Sequence, residues 1–207
     1  MILKIHHSHP EKRLVMEIAK GLQNGDVYIL PTDTAYAFVC SLNAPRAIAE
    51  LYKIKNIPET HPLSLLCSDV SMASNFIHQL STAVFKFMKS YMPGPYTIIL
   101  RSNRNMDRRG MGKKKTVGIR IVNHPLHRAI MENMEGPLVA TSVITDDEYL
   151  TDPKDLDRLY GKKVKAIVDD GIKVDQFSTI LDATEDHFRL IRMGTGPVDM
   201  LGLEEDS

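Results

Sequence analysis

The chain has no excess of charge: 26 lysines and arginines balance 26 aspartates and glutamates, giving a net charge of zero at pH 7. No global field therefore advertises a nucleic acid or a membrane, and any charged partner has to be met by a local patch. Cysteine is scarce, limited to Cys40 and Cys67. Each follows an apolar pair, Phe38-Val39 and Leu65-Leu66, so buried thiols in a reducing compartment explain them better than a disulfide does. Long apolar runs are missing too. Nothing approaches the ~20 residues of a membrane span, and the first residues lack the apolar core of a secretory signal. These absences point to a cytoplasmic, soluble protein without a membrane partner. A Walker A loop, GxGxxG, HExxH and CxxC are all absent, as are internal repeats and long linkers.

What remains is ordinary in bulk. Over 207 residues, 43% hydrophobic and 25% charged, the chain suits one globular domain or a closely joined pair with a sizeable core. Its organising stretch runs from Asp26 to Thr34. Asn24-Gly25-Asp26 is a turn signal, and Val27 to Leu30 is an apolar run that reads as a buried strand. Pro31 lacks the N–H that a central ladder needs, so the strand is expected to stop there. Thr32, Asp33 and Thr34 are then delivered at the strand's C-terminal end, where ligands sit in open α/β sheets. On local chemistry alone, the reading that these three residues tie off their own loop through side-chain turns comes first.

Around this stretch, apolar spacing predicts a helix over 10–24, a strand or helical turn over 35–41, and a helix from Asn43-Ala44-Pro45 to Lys55. Strands are expected over 62–67, 96–100, 116–122, 137–142 and 164–168, with 178–183 and 188–193 as a closing pair. Helices fill 70–80, 82–91, the stretch after Pro125, and the stretch after Asp152-Pro153. Interleaving in this mixed order gives an α/β class with a mixed sheet. The expected domain covers 10–197, followed by an acidic tail over 198–207.

Charge is uneven despite its balance. From Arg101 to Arg120 there are eight cations against Asp107, a local +7, while Asp146 to Asp157 carries a local −5. Arg108, Arg109, Lys113, Lys114 and Lys115 crowd a basic loop suited to phosphate groups, though a solvated loop would have the same composition. Polar groups gather at strand ends: Thr32, Asp33, Thr97, Arg120, Thr141, Ser142, Ser178, Thr179 and Arg192. Arg120 inside an apolar strand needs an anionic partner, which Asp33, Asp182 or a bound carboxylate or phosphate could provide. Lys55 closes a helix, where a cation complements the dipole without any ligand. The His6-His7-Ser8-His9 tract and the His124/His127 pair lack a convincing metal partner set, so no metal site is assigned.

Six segments occur in a telling order: Pro31-Thr32-Asp33-Thr34-Ala35-Tyr36, Pro62 to Leu66, Pro93 to Leu100, Val117 to Ile121, Pro137 to Ser142, and Ser178 to Asp182. Together they resemble the YrdC-like domain family across about residues 10 to 197. The resemblance implies a twisted mixed α/β sheet with flanking helices and a large concave, positively charged cavity. It implies ATP as a substrate, with Mg²⁺ as its companion ion, for threonylcarbamoyl-adenylate chemistry of the kind used in tRNA modification. It also implies binding of double-stranded RNA or tRNA. By matching position, Thr32, Asp33, Tyr36, Thr97 and Arg120 would hold threonine or a relative. Lys55, Thr141, Ser142, Ser178, Thr179 and Arg192 would line the nucleotide side. Arg108, Arg109, Lys113, Lys114 and Lys115 would meet RNA.

Two departures stand out. Where the family's synthases carry Lys-x-Arg, this chain has Lys55-Asn56-Ile57; where they carry Ser-x-Asn, it has Ser142-Val143-Ile144. A five-donor fork and an amide are thereby lost. Each such contact is typically worth ~10²–10³ in rate at a transition state. These lapses resemble the YciO branch, and imply a threonylcarbamoyl-adenylate synthase or hydrolase of weakened or altered activity. The alternative is a non-catalytic RNA-binding or ribosome-associated module.

Overall fold

The computed structural model describes residues 1–106, 115–145, 148–173, 177–185 and 187–201. In chain order the elements are β1 (Ile2–Lys4), α1 (Lys12–Gln23), β2 (Tyr28–Pro31), β3 (Tyr36–Ser41), α2 (Pro45–Lys55) and β4 (Ser64–Leu66). Then come α3 (Val70–Ser74), α4 (Thr82–Tyr91), β5 (Tyr96–Arg101), the single turn α5 (Arg104–Met106), β6 (Thr116–Arg120), α6 (Pro125–Met131) and β7 (Leu138–Ser142). The chain closes with the small β8 (Ile144–Thr145) and β9 (Glu148–Tyr149) hairpin, α7 (Pro153–Tyr160), β10 (Ala166–Asp169), β11 (Thr179–Asp182) and β12 (Arg189–Arg192). Ten strands form one mixed sheet in the order β1-β10-β2-β3-β7-β4-β6-β5-β11-β12.

Local chemistry accounts for most of these boundaries. Helix α1 buries Leu14, Ile18 and Leu22 along one stripe, each contributing roughly 1.5–3 kcal/mol by leaving water. It ends at Asn24, and Gly25 follows at φ 90°, a turn that glycine makes without strain. Pro45 opens α2 at its first position, and Asn56 closes it in the left-handed conformation. Ser81 caps α4 by accepting from the Val84 N–H, and Asp152 caps α7 by accepting from the Lys154 N–H.

Four local expectations change. Pro31 stays in β2 as its last residue opposite Tyr36, where no further ladder bond is needed, and its carbonyl accepts from His127 Nε2. Helix α3 stops at Ser74 rather than Leu80. Its last residue turns its hydroxyl back onto the Val70 carbonyl, and Ile77 leaves to bridge Ser102. Strand β6 ends at Arg120, two residues early. Strand β1, ahead of the expected domain start at residue 10, pairs in parallel with β10 and joins the sheet.

The two faces of the sheet differ. Ile29, Phe38, Leu65, Ile98, Ile119 and Val139 point to one side, under α2, α3, α4 and α7, in one large apolar cluster. Leu30, Val39, Leu66, Leu138 and Ala140 point to the other, under α1 and α6. Strand residues alternate between faces. On this second face, beyond those helices, β4, β5 and β6 therefore present Ser64, Thr97, Thr116, Gly118 and Arg120, and a cavity opens above them.

Candidate functional site

The cavity holds about 340 Å³ and takes its walls from seven neighbouring strands, β3 through β12 in sheet order, together with the end of α2. Lys55, Arg120 and Arg192 line it, with the hydroxyls of Ser64, Thr97, Thr116, Thr141, Ser142 and Ser178. No aspartate or glutamate is among the described residues that line it. A pocket lined by three cations and a belt of hydroxyls, with no acid among its described lining residues, suits an anion.

Each cation is positioned differently. Strand β4 begins only at Ser64, opposite Ala140, so the last two residues of β7 have no β4 partner. Lys55 reaches them from the end of α2, donating to Thr141 Oγ1 at 2.7 Å and to the Ser142 carbonyl at 2.8 Å. Burial pushes its amine down to about 8. Arg120 donates to Asp33 Oδ1 at 2.8 Å and to Thr34 Oγ1 at 3.1 Å. The other Asp33 oxygen accepts from the Asn123 N–H at 3.1 Å. Arg192 donates to the Ser178 carbonyl at 2.9 Å, and its guanidinium lies 5.0 Å from the Phe177 ring centroid. Ser178 and Thr97 share a hydrogen bond of 2.8 Å.

Of the residues singled out from sequence, Lys55, Thr97, Arg120, Thr141, Ser142, Ser178 and Arg192 come together on this cavity. Thr32, Asp33, Tyr36 and Thr179 are not among its lining residues. Thr32 is 1% exposed and ties its own turn, donating to the Ala35 carbonyl at 2.6 Å and accepting from the Thr34 N–H. Asp33 stands behind Arg120 and acts through it. Tyr36 belongs to the opposite face, where its hydroxyl donates to the Gly171 carbonyl and accepts from the Asp170 N–H. Thr179 is fully buried, donating to the Gly196 carbonyl and accepting from the Gly194 N–H. Of the two readings of this stretch, Thr32 and Asp33 thus follow the one in which they tie their own turn and neighbours rather than line the cavity. A separate space of about 370 Å³ is lined by Leu66, Cys67, Ile121, Val122, His127 and Met131 among others.

Ser64, Thr116, Gly118, His61 and Ile144 also line the site and were not singled out as binding residues. Gly118 had a readable signal, a glycine inside an apolar strand, which often marks a close approach. A Cβ there would lie 2.9 Å from Ser64 Oγ and 3.1 Å from Thr97 Cγ2, so the bare backbone keeps the floor open. The two departures from the synthase pattern part company: Ile144 faces the cavity, whereas Ile57 packs against the core.

In the basic stretch, Arg120 is committed to Asp33, and Arg101 pairs with Glu185 at the surface. Arg104 and Lys115 are exposed. Arg108, Arg109, Lys113 and Lys114 lie outside the described residues.

The two histidine motifs meet. Asp170 accepts from His7 Nδ1 at 2.8 Å, from His124 Nε2 at 3.0 Å, and from Lys173. Burial alone would raise this carboxyl, but the hydrogen bonds from Lys173, His124 and His7 outweigh it and hold it at about 2. His7, His124 and Asp170 are close enough to suggest a metal, yet the donor set does not fit one. His124 Nδ1 accepts from the Leu126 N–H, which places its proton on Nε2, whereas a ligating imidazole needs the reverse. Lys173 also occupies the carboxylate. The cluster is a hydrogen-bonded tie between the N-terminal segment, α6 and the end of β10.

Comparison with known proteins follows this geometry. The family model described as telomere recombination, which spans the Sua5, YciO and YrdC proteins, matches residues 20–194. YciO of Escherichia coli K12 is 30% identical over 197 residues, covering 94% of this chain and 95% of the relative. The crystal structure of E. coli YciO superposes with a TM-score of 0.89 at 28% identity, covering 97% of this chain and 98% of that one. A putative threonylcarbamoyl-AMP synthase of Methanocaldococcus jannaschii is 30% identical over 204 residues, covering 97% of this chain and 96% of the relative. Sua5 of P. abyssi, solved with L-threonine, shares the fold with a TM-score of 0.88 at 22% identity, and this chain covers 59% of its length. By fold, by aligned sequence and by the match over most of its length, the chain belongs to the Sua5/YciO/YrdC family.

Proposed function

We propose that the cavity binds ATP or a derived adenylate and acts on threonylcarbamoyl-adenylate or a close relative, with synthase activity weakened from that of the two-motif synthases. One observation carries this reading: three cations and six hydroxyls line a cavity with no carboxylate among its described lining residues. Lys55, Thr141, Ser142, Ser178 and Arg192 take the nucleotide side. Arg120, with Thr97 beside it, takes the carboxylate of the amino-acid part. Asp33 positions Arg120, and Thr32 and Tyr36 hold the turn that carries Asp33. The relatives support the substrate class, since one is a putative threonylcarbamoyl-AMP synthase and another was solved with L-threonine. Ile144 supports weakened synthesis, because an apolar side chain stands where the synthases present an amide. A divalent ion usually takes one or two carboxylates from its protein. The described lining offers none, so Mg²⁺ fits only as an ion carried on the nucleotide's phosphates.

Isothermal titration with ATP, with and without threonine, tests the reading. Saturable ATP binding that weakens at least tenfold in Lys55→Met and Arg192→Met is the expected result. Absence of ATP binding would refute it. Residues 108–115 supply a second, separable activity, binding of duplex or tRNA-like RNA, supported by five cations in eight positions. No aromatic residue is interleaved there, so the mode is contact with phosphate backbone rather than base stacking. RNA binding without any ATP binding would favour the non-catalytic module instead.

A further inference from the structure

We propose that Lys55 is a site of reversible covalent modification, its ε-amine adding dissolved carbon dioxide to form a carbamate inside the cavity. Lys55 lines the cavity, donates to two neutral acceptors, Thr141 Oγ1 and the Ser142 carbonyl, and makes no ion pair among the described residues. A neutral amine presents two N–H groups, matches both acceptors, and keeps a lone pair. No described carboxylate lines the cavity to stabilise the ammonium in place of those neutral oxygens. Burial acts in the same direction, lowering the amine to about 8 and leaving an appreciable neutral fraction near neutral pH. Desolvated lysines of this kind are nucleophiles.

The reaction balances simply. The nitrogen lone pair forms a C–N bond to the carbon of carbon dioxide, one C=O π bond opens onto oxygen, and the proton released from nitrogen leaves to water. The product keeps one N–H for the Ser142 carbonyl. Its new carboxylate lies in a cavity lined by the hydroxyls of Thr141 and Ser142 and the guanidiniums of Arg120 and Arg192. A cation lining the anion site is thereby exchanged for an anion. This modification does not depend on nucleotide binding, and it makes carbon dioxide a competitor for any phosphate-bearing ligand.

The test supplies ¹³C-labelled bicarbonate to the full chain and records the carbonyl region of the ¹³C spectrum, then traps carbamates by alkylation and maps the trapped mass by peptide digestion. A carbamate resonance and a trapped mass on the peptide containing Lys55 are expected, both lost when inorganic phosphate saturates the cavity. Lys55→Arg, which keeps a cation but not the nucleophile, should lose them as well. Mapping on the wild-type chain decides the matter even if that variant fails to fold. A trapped mass found only on the N-terminal amine or on exposed lysines overturns the proposal. ATP binding measured on the same sample is a separate readout, so failure of the carbamate and failure of the nucleotide site are told apart.

Discussion

Removing Asp33 should do something that removing Arg120 does not. The pair is nearly closed to solvent, with side-chain exposures of 8% and 9% and a contact of 2.8 Å. Two unit charges at that separation attract by ~6 kcal/mol at an effective dielectric near 20, before the cost of desolvation. Deleting one member of a buried pair typically destabilises by ~3–5 kcal/mol, because the other charge stays buried. For a chain of this length that is a fall of roughly 6–20 °C in Tm. The two deletions are not equivalent, however. In Asp33→Asn the guanidinium still lines the cavity, so an added anion can take the carboxylate's place. In Arg120→Met the orphan is Asp33, which does not line the cavity and has nothing mobile to recruit. Inorganic phosphate at a hundred times its dissociation constant restores ~2.7 kcal/mol to any protein whose folded state alone binds it. Urea unfolding with and without phosphate should therefore show a larger rescue of Asp33→Asn, which keeps all three cavity cations, than of Arg120→Met, which keeps only Lys55 and Arg192. A loss below ~1 kcal/mol in both, or equal rescue of both, would refute this account of the pair.

Gly118→Ala should weaken ATP binding and cost ~1–3 kcal/mol by overpacking; adding Ser64→Ala removes the Oγ at 2.9 Å and should return much of the stability, as urea unfolding will report. Lys55 is protonated below about 8 in the folded, unliganded protein. Affinity for sulfate, whose own charge is constant, should thus hold below pH 8 and fall by up to tenfold per unit above it; Lys55→Arg should flatten that fall. His127 is fully buried, and burial first, then the charges of His124 and Arg120, push it down to about 3. The unfolded state therefore takes up this proton first, and stability should drop as pH falls from ~6.5 towards 3, by at most ~1.4 kcal/mol per unit. His127→Gln, which keeps a donor for the Pro31 carbonyl, should flatten that acid limb in equilibrium unfolding. Replacing Lys113, Lys114 and Lys115 by alanine should weaken structured-RNA binding and reduce its salt dependence, leaving ATP binding unchanged; wild-type behaviour across a salt series would show that these lysines make no RNA contact.

The strands and most helices were legible because their apolar residues repeat with the period of their element, and because Asn24-Gly25, Pro45, Ser81 and Asp152 mark real ends. Strand β1 was not. Three residues carry no period, and Ile2–Lys4 is a strand only because β10 offers it an edge. The site was legible in part for a related reason. Alternation says that Tyr36 and Ala37 face opposite ways, and likewise Ser178 and Thr179, but not which face is hollow. Ala37 and Ser178 turned out to line the cavity, while Tyr36 and Thr179 serve the scaffold. Whether a helix covers a face depends on where distant segments settle, and no local pattern encodes that. The role of Gly118 depends on its register with Ser64, a pairing across 54 residues of chain.

That same β1–β10 pairing governs the order in which this chain can become itself. Ile2 leaves the ribosome 165 residues (167 − 2) before its partner Ile167. At ~5–20 residues per second, β1 waits on the order of 10–30 s for its neighbour. During that interval β2, whose four residues are all buried in the finished protein, has β3 on one side and a bare apolar edge on the other. Edges of this kind pair readily with other chains. The late strand therefore closes this side of the sheet, and the apolar edge of β2 stays open to other chains until β10 has been made.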